Sequence, residues 1–169
     1  MRGRDCLIYD YRDKENSVSI WLGSCNSFEE LDTYLSTVYI DDGVEEILSK
    51  LFLTCNQNRP FEQELRNAFD EHYNQFEYDF GLSFDDDFRE ASVLEEFSDN
   101  LDTLLNDFSA HDTFLDEVKR STGNPLEQSH NAIVILYNFK YDGSITKIKH
   151  ENINLHFIGT YGFSWESTT

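Results

Sequence analysis

Six consecutive apolar residues, Ala132-Ile133-Val134-Ile135-Leu136-Tyr137, constrain this 169-residue chain more than any other feature. The run is rich in strand formers and far too short for a bilayer, which takes about 20 residues as a helix. Side chains alternate across a strand, so an unbroken apolar run reads as a central strand buried on both faces. Strand formers continue to Tyr141, and Asp142-Gly143 is a hairpin signal. Beyond it Ile145, Lys147 and Lys149 against Thr146, Ile148 and His150 suit a more exposed return strand. Ile153, Leu155 and Phe157 alternate with Asn154, His156 and Ile158 in a third strand. The C-terminal third therefore reads as a meander.

Upstream the period changes. Val18 to Gly23 reads as a strand that ends in a turn at Ser24 and Asn26. Ser27 with Glu30 forms an S-x-x-E capping box, in which the Ser27 hydroxyl accepts the Glu30 N–H and the Glu30 carboxylate reaches back. Phe28, Leu31, Leu35 and Val38 then predict a helix to about Tyr39 that buries one face. Pro60 suits a first helical position, and Phe61, Leu65, Ala68 or Phe69, Tyr73, Phe76 and Phe80 extend a helix to a stop at Gly81. Val93 or Leu94, Phe97, Leu101, Leu104 or Leu105 and Phe108 predict another. Phe114, Leu115 and Val118 predict a shorter one that ends near Gly123-Asn124-Pro125. The expected fold is α+β, a single domain over 1–169. A largely antiparallel sheet, the N-terminal strand plus the C-terminal meander, carries helices packed on one face.

Charge narrows the partners. The chain has 33 acidic and 13 basic side chains, a net charge of −20, yet its 39% hydrophobic content is too high for a disordered acidic tail. Such a balance argues against direct contact with nucleic acid or an anionic membrane, since each phosphate contact needs a Lys or Arg. A basic partner is the electrostatic complement. The excess is concentrated: residues 60–117 hold 18 acids and 2 bases, whereas residues 118–169 hold 4 and 5. Three widely spaced cysteines, Cys6, Cys25 and Cys55, fit a reducing cytosol better than a disulfide framework or zinc site. Asp5, Asp10 and Asp13 interrupt any apolar signal segment, so a cytoplasmic location is expected.

Motifs for chemistry are sparse. Asp85-Asp86-Asp87 with Glu90 suits a hard cation in ligand type, but the spaced calcium-loop pattern is absent, and a solvated loop or helix start is the plainer reading. The five histidines lack ligand spacing. His150 and His156 would meet only across a turn at Glu151 to Asn154, and two polar strand positions are the simpler account. Cys25 lies before a helix start, where a thiol pKa can fall, but with no histidine assigned nearby a small half-buried residue is the better reading. Trp21, Tyr161, Phe163 and Trp165 suit either an aromatic recognition surface or the core, and burial favours the core for Trp21 and Phe163. No phosphate-binding loop, dinucleotide fingerprint or nucleophile elbow occurs, and no cofactor is implied.

Three blocks carry a family resemblance: residues 18–35 (VSIWLGSCNSFEELDTYL), residues 80–90 (FGLSFDDDFRE), and residues 131–141 (NAIVILYNFKY) followed by 155–163 (LHFIGTYGF). In order and spacing, from about Ser17 to Phe163, the chain resembles the immunity protein 22 family of bacterial polymorphic-toxin systems. The resemblance implies an α+β protein, with no catalytic residues, that binds and blocks a secreted toxin domain. Charge adds an expectation about that partner, a basic nuclease toxin met by the acidic segment from Glu62 to Glu117. Asp85, Asp86, Asp87 and Glu90 lead the candidates for toxin contact, followed by Glu95, Glu96 and Asp99, each weighed against a solvated acidic face. The alternatives are a carboxylate-metal hydrolase centred on Asp85, Asp87 and Glu90, and an acidic adaptor or DNA mimic without a toxin partner. Oligomeric state is left open.

Overall fold

In the computed structural model the described residues are 16–39 and 72–165 with the strand at 9–10, and of 9–10, 38–39 and 72–73 the backbone alone. Along the chain come β1 (Tyr9–Asp10), β2 (Ser17–Ser24), α1 (Phe28–Leu35), β3 (Val38–Tyr39), β4 (His72–Tyr73), α2 (Gln75–Phe80) and β5 (Leu82–Ser83). A 3-10 turn (Asp86–Phe88), β6 (Arg89–Ser98), α3 (Leu101–Leu105), α4 (His111–Thr122), β7 (His130–Tyr137), β8 (Lys147–His150) and β9 (Ile153–Gly162) follow. Five strands form an antiparallel sheet in the order β6-β7-β2-β9-β8. The fold is α+β.

The apolar run becomes β7, paired on both sides, and its alternation feeds two cores. Ala132, Val134 and Leu136 join Trp21 on one face; Ile133, Ile135 and Tyr137 join Val18, Ile20 and Leu22 on the other. Helices α1 and α2 close the first core with Leu31, Leu35, Phe76 and Phe80, while α3 and α4 close the second with Leu101, Leu105, Phe114 and Val118. The expectation of helices on one face is thereby corrected. A strand apolar on both sides needs cover on both sides, because each exposed face would forfeit roughly 25 cal/mol per Å² of apolar surface.

The C-terminal meander is also corrected. Asn138 takes a left-handed φ of 53° and ends β7, and its side chain accepts the Asn16 N–H at 3.3 Å. The chain then crosses to the far side of the sheet. The buried Ser19 hydroxyl donates to the Phe139 carbonyl at 2.8 Å and accepts the Tyr141 N–H at 3.0 Å. Asp142-Gly143 does turn, with the Asp142 carboxylate accepting the Ser144 N–H at 2.9 Å. The turn leads into β8 at the opposite edge, and the hairpin that forms is β8–β9 through Glu151.

Local helix signals hold where they carry a cap. Ser27 Oγ accepts the Glu30 N–H at 3.2 Å, although α1 stops at Leu35 and Val38–Tyr39 pairs with His72–Tyr73 instead. That pairing breaks the helix expected to run through Tyr73. Asn74 caps a new one, accepting the Glu77 N–H at 3.1 Å and donating to the Leu35 carbonyl at 2.8 Å. Gly81 ends it in the left-handed conformation, φ 66°, as its lack of a Cβ allows. The expected helix start at Pro60, with Phe61, Leu65 and Phe69, lies outside the described residues, as do Cys6 and Cys55.

The largest departure is β6. The apolar period of Val93 to Ser98 predicts a helix, yet these residues extend along β7, with Ala91 and Val93 packed toward the Trp21 core and Leu94 toward the other. Pairing partners supplied by a distant strand outweigh a short, ambiguous local period. Only Leu101–Leu105 is helical, capped by Asn100, whose side chain accepts the Asp102 N–H at 2.9 Å.

Candidate functional site

Because β6 is an edge strand, the fold lays the acidic block along one margin of the sheet. Asp85 opens the 3-10 turn, its carboxylate accepting the Asp87 N–H at 3.0 Å. Arg89 donates through Nε to Asp86 at 2.9 Å and through Nη1 to Asp32 of α1 at 3.2 Å. Among the described residues 72–117 Arg89 is the one base, and it is spent on those two aspartates. Asp85, Asp86 and Asp87 are exposed, and so are Glu95, Glu96 and Asp99 farther along the strand.

Glu90 behaves differently. Its carboxylate accepts the Ser109 N–H at 2.9 Å, the Ser109 hydroxyl, and the Tyr137 hydroxyl at 3.0 Å. It ties the edge strand to the loop between α3 and α4. Burial foremost, and then the Glu90 charge, push the Tyr137 phenol far above its ordinary range.

Three aromatic rings decorate the same margin. Phe97 is 57% exposed, Phe28 is 48% exposed, and Phe88 is 38% exposed. Phe28 and Phe97 were both expected on buried helical faces. Phe28 sits in the first turn of α1, ahead of the stripe Leu31 and Leu35 that reaches the core, and Phe97 lies where β6 has left register with β7. A groove of about 560 Å³ runs beside β6, lined by Phe28, Asp86, Glu90, Ser92 and Asp107. Carboxylates and exposed aromatics side by side make a surface suited to recognition, since aromatics supply buried area and charge supplies selection. Sequence periodicity missed Phe28 and Asp107, which no local signal assigns to one groove.

Other candidates resolve into structure. Asp85, Asp87 and Glu90 do not assemble a cation site: Asp85 is turned into its cap and Glu90 toward Ser109. Among the described residues no group of three His, Cys, Asp or Glu is placed to hold a metal ion. Cys25 is buried, its thiol donates to the Ser27 carbonyl at 3.1 Å, and burial raises its pKa, contrary to helix-start activation. The His150 ring lies tilted against that of Tyr34, centroids 5.4 Å apart, and His150 pairs with Ile153, whereas His156 pairs with Lys147, so the two histidines do not meet. Trp21 is fully buried against Phe76, Phe80, Tyr141 and Phe157, and Phe163 is buried as well. Only Trp165 of that aromatic group is well exposed.

The blocks that form β2, α1, the aspartate turn, β7 and β9 fall almost entirely within the span that a family model matches. The model for immunity protein 22 matches residues 18–164. The chain belongs to the immunity protein 22 family. Membership gives this immunity protein an antitoxin role in general terms, the binding of a cognate toxin. No curated protein and no solved structure matches the chain. Among the described residues of the immunity protein no helix is long and apolar enough to cross a membrane.

Proposed function

We propose that the protein neutralises a basic nuclease toxin in the cytoplasm, docking through the acidic β6 margin over the toxin's active site or an exosite. The supporting observation is the alignment of Asp85, Asp86, Asp87, Glu95, Glu96 and Asp99 along one exposed edge, with three exposed phenylalanines among them. A nuclease must hold phosphates with positive charge, so its working surface is the natural complement of such an edge. The negative field also speeds encounter, typically by about 10- to 1,000-fold at low salt. Glu90 acts in this reading through the shape of the margin.

The test is the association rate with the toxin encoded by the adjacent gene, from low salt to about 1 M, where the screening length falls to about 3 Å. A rate that drops at least about tenfold with salt supports steered docking. A rate indifferent to salt, and unchanged in Asp85→Asn with Asp87→Asn, removes the electrostatic reading. A toxin without nuclease activity removes the partner class.

A further inference from the structure

At the end of the sheet where β2 finishes and β7 begins, the sign of the surface reverses. The register sets Lys147 opposite His156 and His156 opposite Leu22, and in the next row Lys149 opposite Asn154 and Asn154 opposite Ser24. Residues paired across strands share a face, so both lysines stand on the α3–α4 side of the sheet, about 7 Å apart by strand rise. Helix α4 meets β9 at its other end, where Ser121 bonds the Tyr161 hydroxyl at 2.9 Å and Glu117 accepts the Gly162 N–H at 3.2 Å. The first half of β9 is left open. A groove of about 440 Å³ occupies that space, walled by Phe97 of β6 and by Gln128, Ser129 and His130.

Among the described residues, none that lines it is Asp or Glu. Among the described residues neither lysine has an ion-pair partner. We propose that this groove binds a small oxyanion ligand, a phosphate or carboxylate borne on a compact body. Two ammonium groups on one face can bracket a single oxyanion, while Ser24, Gln128 and Asn154 add hydrogen-bond donors and Leu22 and Phe97 add apolar wall. The volume falls in the range of small-molecule pockets, about 300–1,000 Å³.

The histidines register the same excess of positive charge. Burial and then Lys147 lower the pKa of His156, and burial and then His156 lower that of His130. Among the described residues, the charged or titratable groups of this groove are Lys147 and Lys149 from β8, His156 from β9 and His130 from β7; β2 and β6 line it with Leu22, Gly23, Ser24 and Phe97. A bound anion favours both protonated imidazoles, so their pKa values rise on binding and affinity increases as pH falls through their titration.

Inorganic phosphate, a nucleoside monophosphate and citrate, each titrated into the intact protein, provide the test, with calorimetry and the His130 and His156 imidazole resonances as readouts. The expected result is saturable binding of at least one probe, upward-shifted imidazole titrations, and at least a tenfold loss of affinity in Lys147→Gln with Lys149→Gln. Both lysines are exposed, and retained chemical-shift dispersion verifies the fold of the variant. Comparing phosphate with citrate identifies the oxyanion. The proposal is overturned by imidazoles that every probe leaves unmoved at roughly 10 mM, or by a double variant that binds as the parent does. Capture of an acidic protein segment without any small-probe binding also overturns it.

Discussion

The Tyr137 hydroxyl stands 3.0 Å from the Glu90 carboxylate and 2.7 Å from the Ser109 carbonyl, joining the central strand, the edge strand and the α3–α4 loop at one point. A phenol has one proton to donate, so the two acceptors share it, and Ser109 brings two further donors to the same carboxylate. Glu90→Ala strands those donors and is expected to cost about 1–3 kcal/mol. Glu95→Ala and Glu96→Ala, at exposed positions, are expected to stay within about 0.5 kcal/mol. Urea unfolding of the three variants compares them directly, and equal midpoints would show that Glu90 ties nothing.

Alkali should unfold the protein through its tyrosines. Tyr137, Tyr141 and Tyr161 all have raised pKa values, with burial the leading cause in each. In the unfolded chain these phenols ionise near the ordinary value of about 10, whereas the fold holds them neutral. Above that pH the unfolded state has lost protons that the folded state keeps, so stability is full below about pH 10 and falls as pH rises beyond it. Phenolate absorbance from these three tyrosines should therefore appear together with loss of the fold. Phenolate signal for all the tyrosines near pH 10 in a still-folded protein would contradict the assignment.

Two glycines of the sheet should respond very differently to a methyl group. A Cβ on Gly23 would stand 1.7 Å from the Asn154 carbonyl oxygen, so Gly23→Ala forces β2 and β9 apart. A loss of about 3 kcal/mol or more is expected, at the upper end of overpacking costs. Gly162 has nothing nearer than a Glu117 carboxylate oxygen at 3.8 Å, and Gly162→Ala should be neutral within about 0.5 kcal/mol. Thermal melts of the pair decide the matter.

Asn131 stitches the end of β2 to β7. Its side chain accepts the Cys25 N–H at 3.0 Å and donates to the Cys25 carbonyl at 2.9 Å, both buried. Asn131→Ala leaves those two backbone groups unpaired and should cost about 2–4 kcal/mol, with Asn131→Asp distinguishable because it keeps the acceptor and removes the donor. Hydrogen exchange at the Cys25 amide is the local readout, and protection unchanged in the alanine variant would refute the stitch.

If the β6 margin meets the toxin, Phe28→Ala should weaken the complex by about tenfold or more and change stability by less than about 1 kcal/mol, since the ring is already 48% exposed. Equal affinity for parent and variant would place the contact elsewhere on the acidic margin.

Local chemistry was legible. The strand at Val18 to Gly23, the Ser27 cap, the Gly81 stop and the short helix around Phe114 to Val118 each depend on neighbours within a few residues, and each is present. The clustering of acids in the middle of the chain was equally plain, because it is a property of composition. Non-local pairing was not legible. Val93 to Ser98 satisfies a helical period and a strand edge about equally, and only β7, about forty residues later, decides between them.

The sequence alone thus determined that one strand would be apolar on both faces, that a helix would start at the Ser27 cap and another stop at Gly81, and that acidic side chains would crowd the middle of the chain. Tertiary structure decided that two helical layers cover the sheet, and that the acids lie along a strand edge with Phe28 and Phe97 outward. It also decided that Glu90 is tied inside the fold and that Lys147, Lys149, His130 and His156 share a groove that no carboxylate lines among the described residues. The reason is physical: caps and turns are satisfied within a few residues, whereas the neighbour of an edge strand, and the sign of charge facing a groove, are set by residues far apart in the chain.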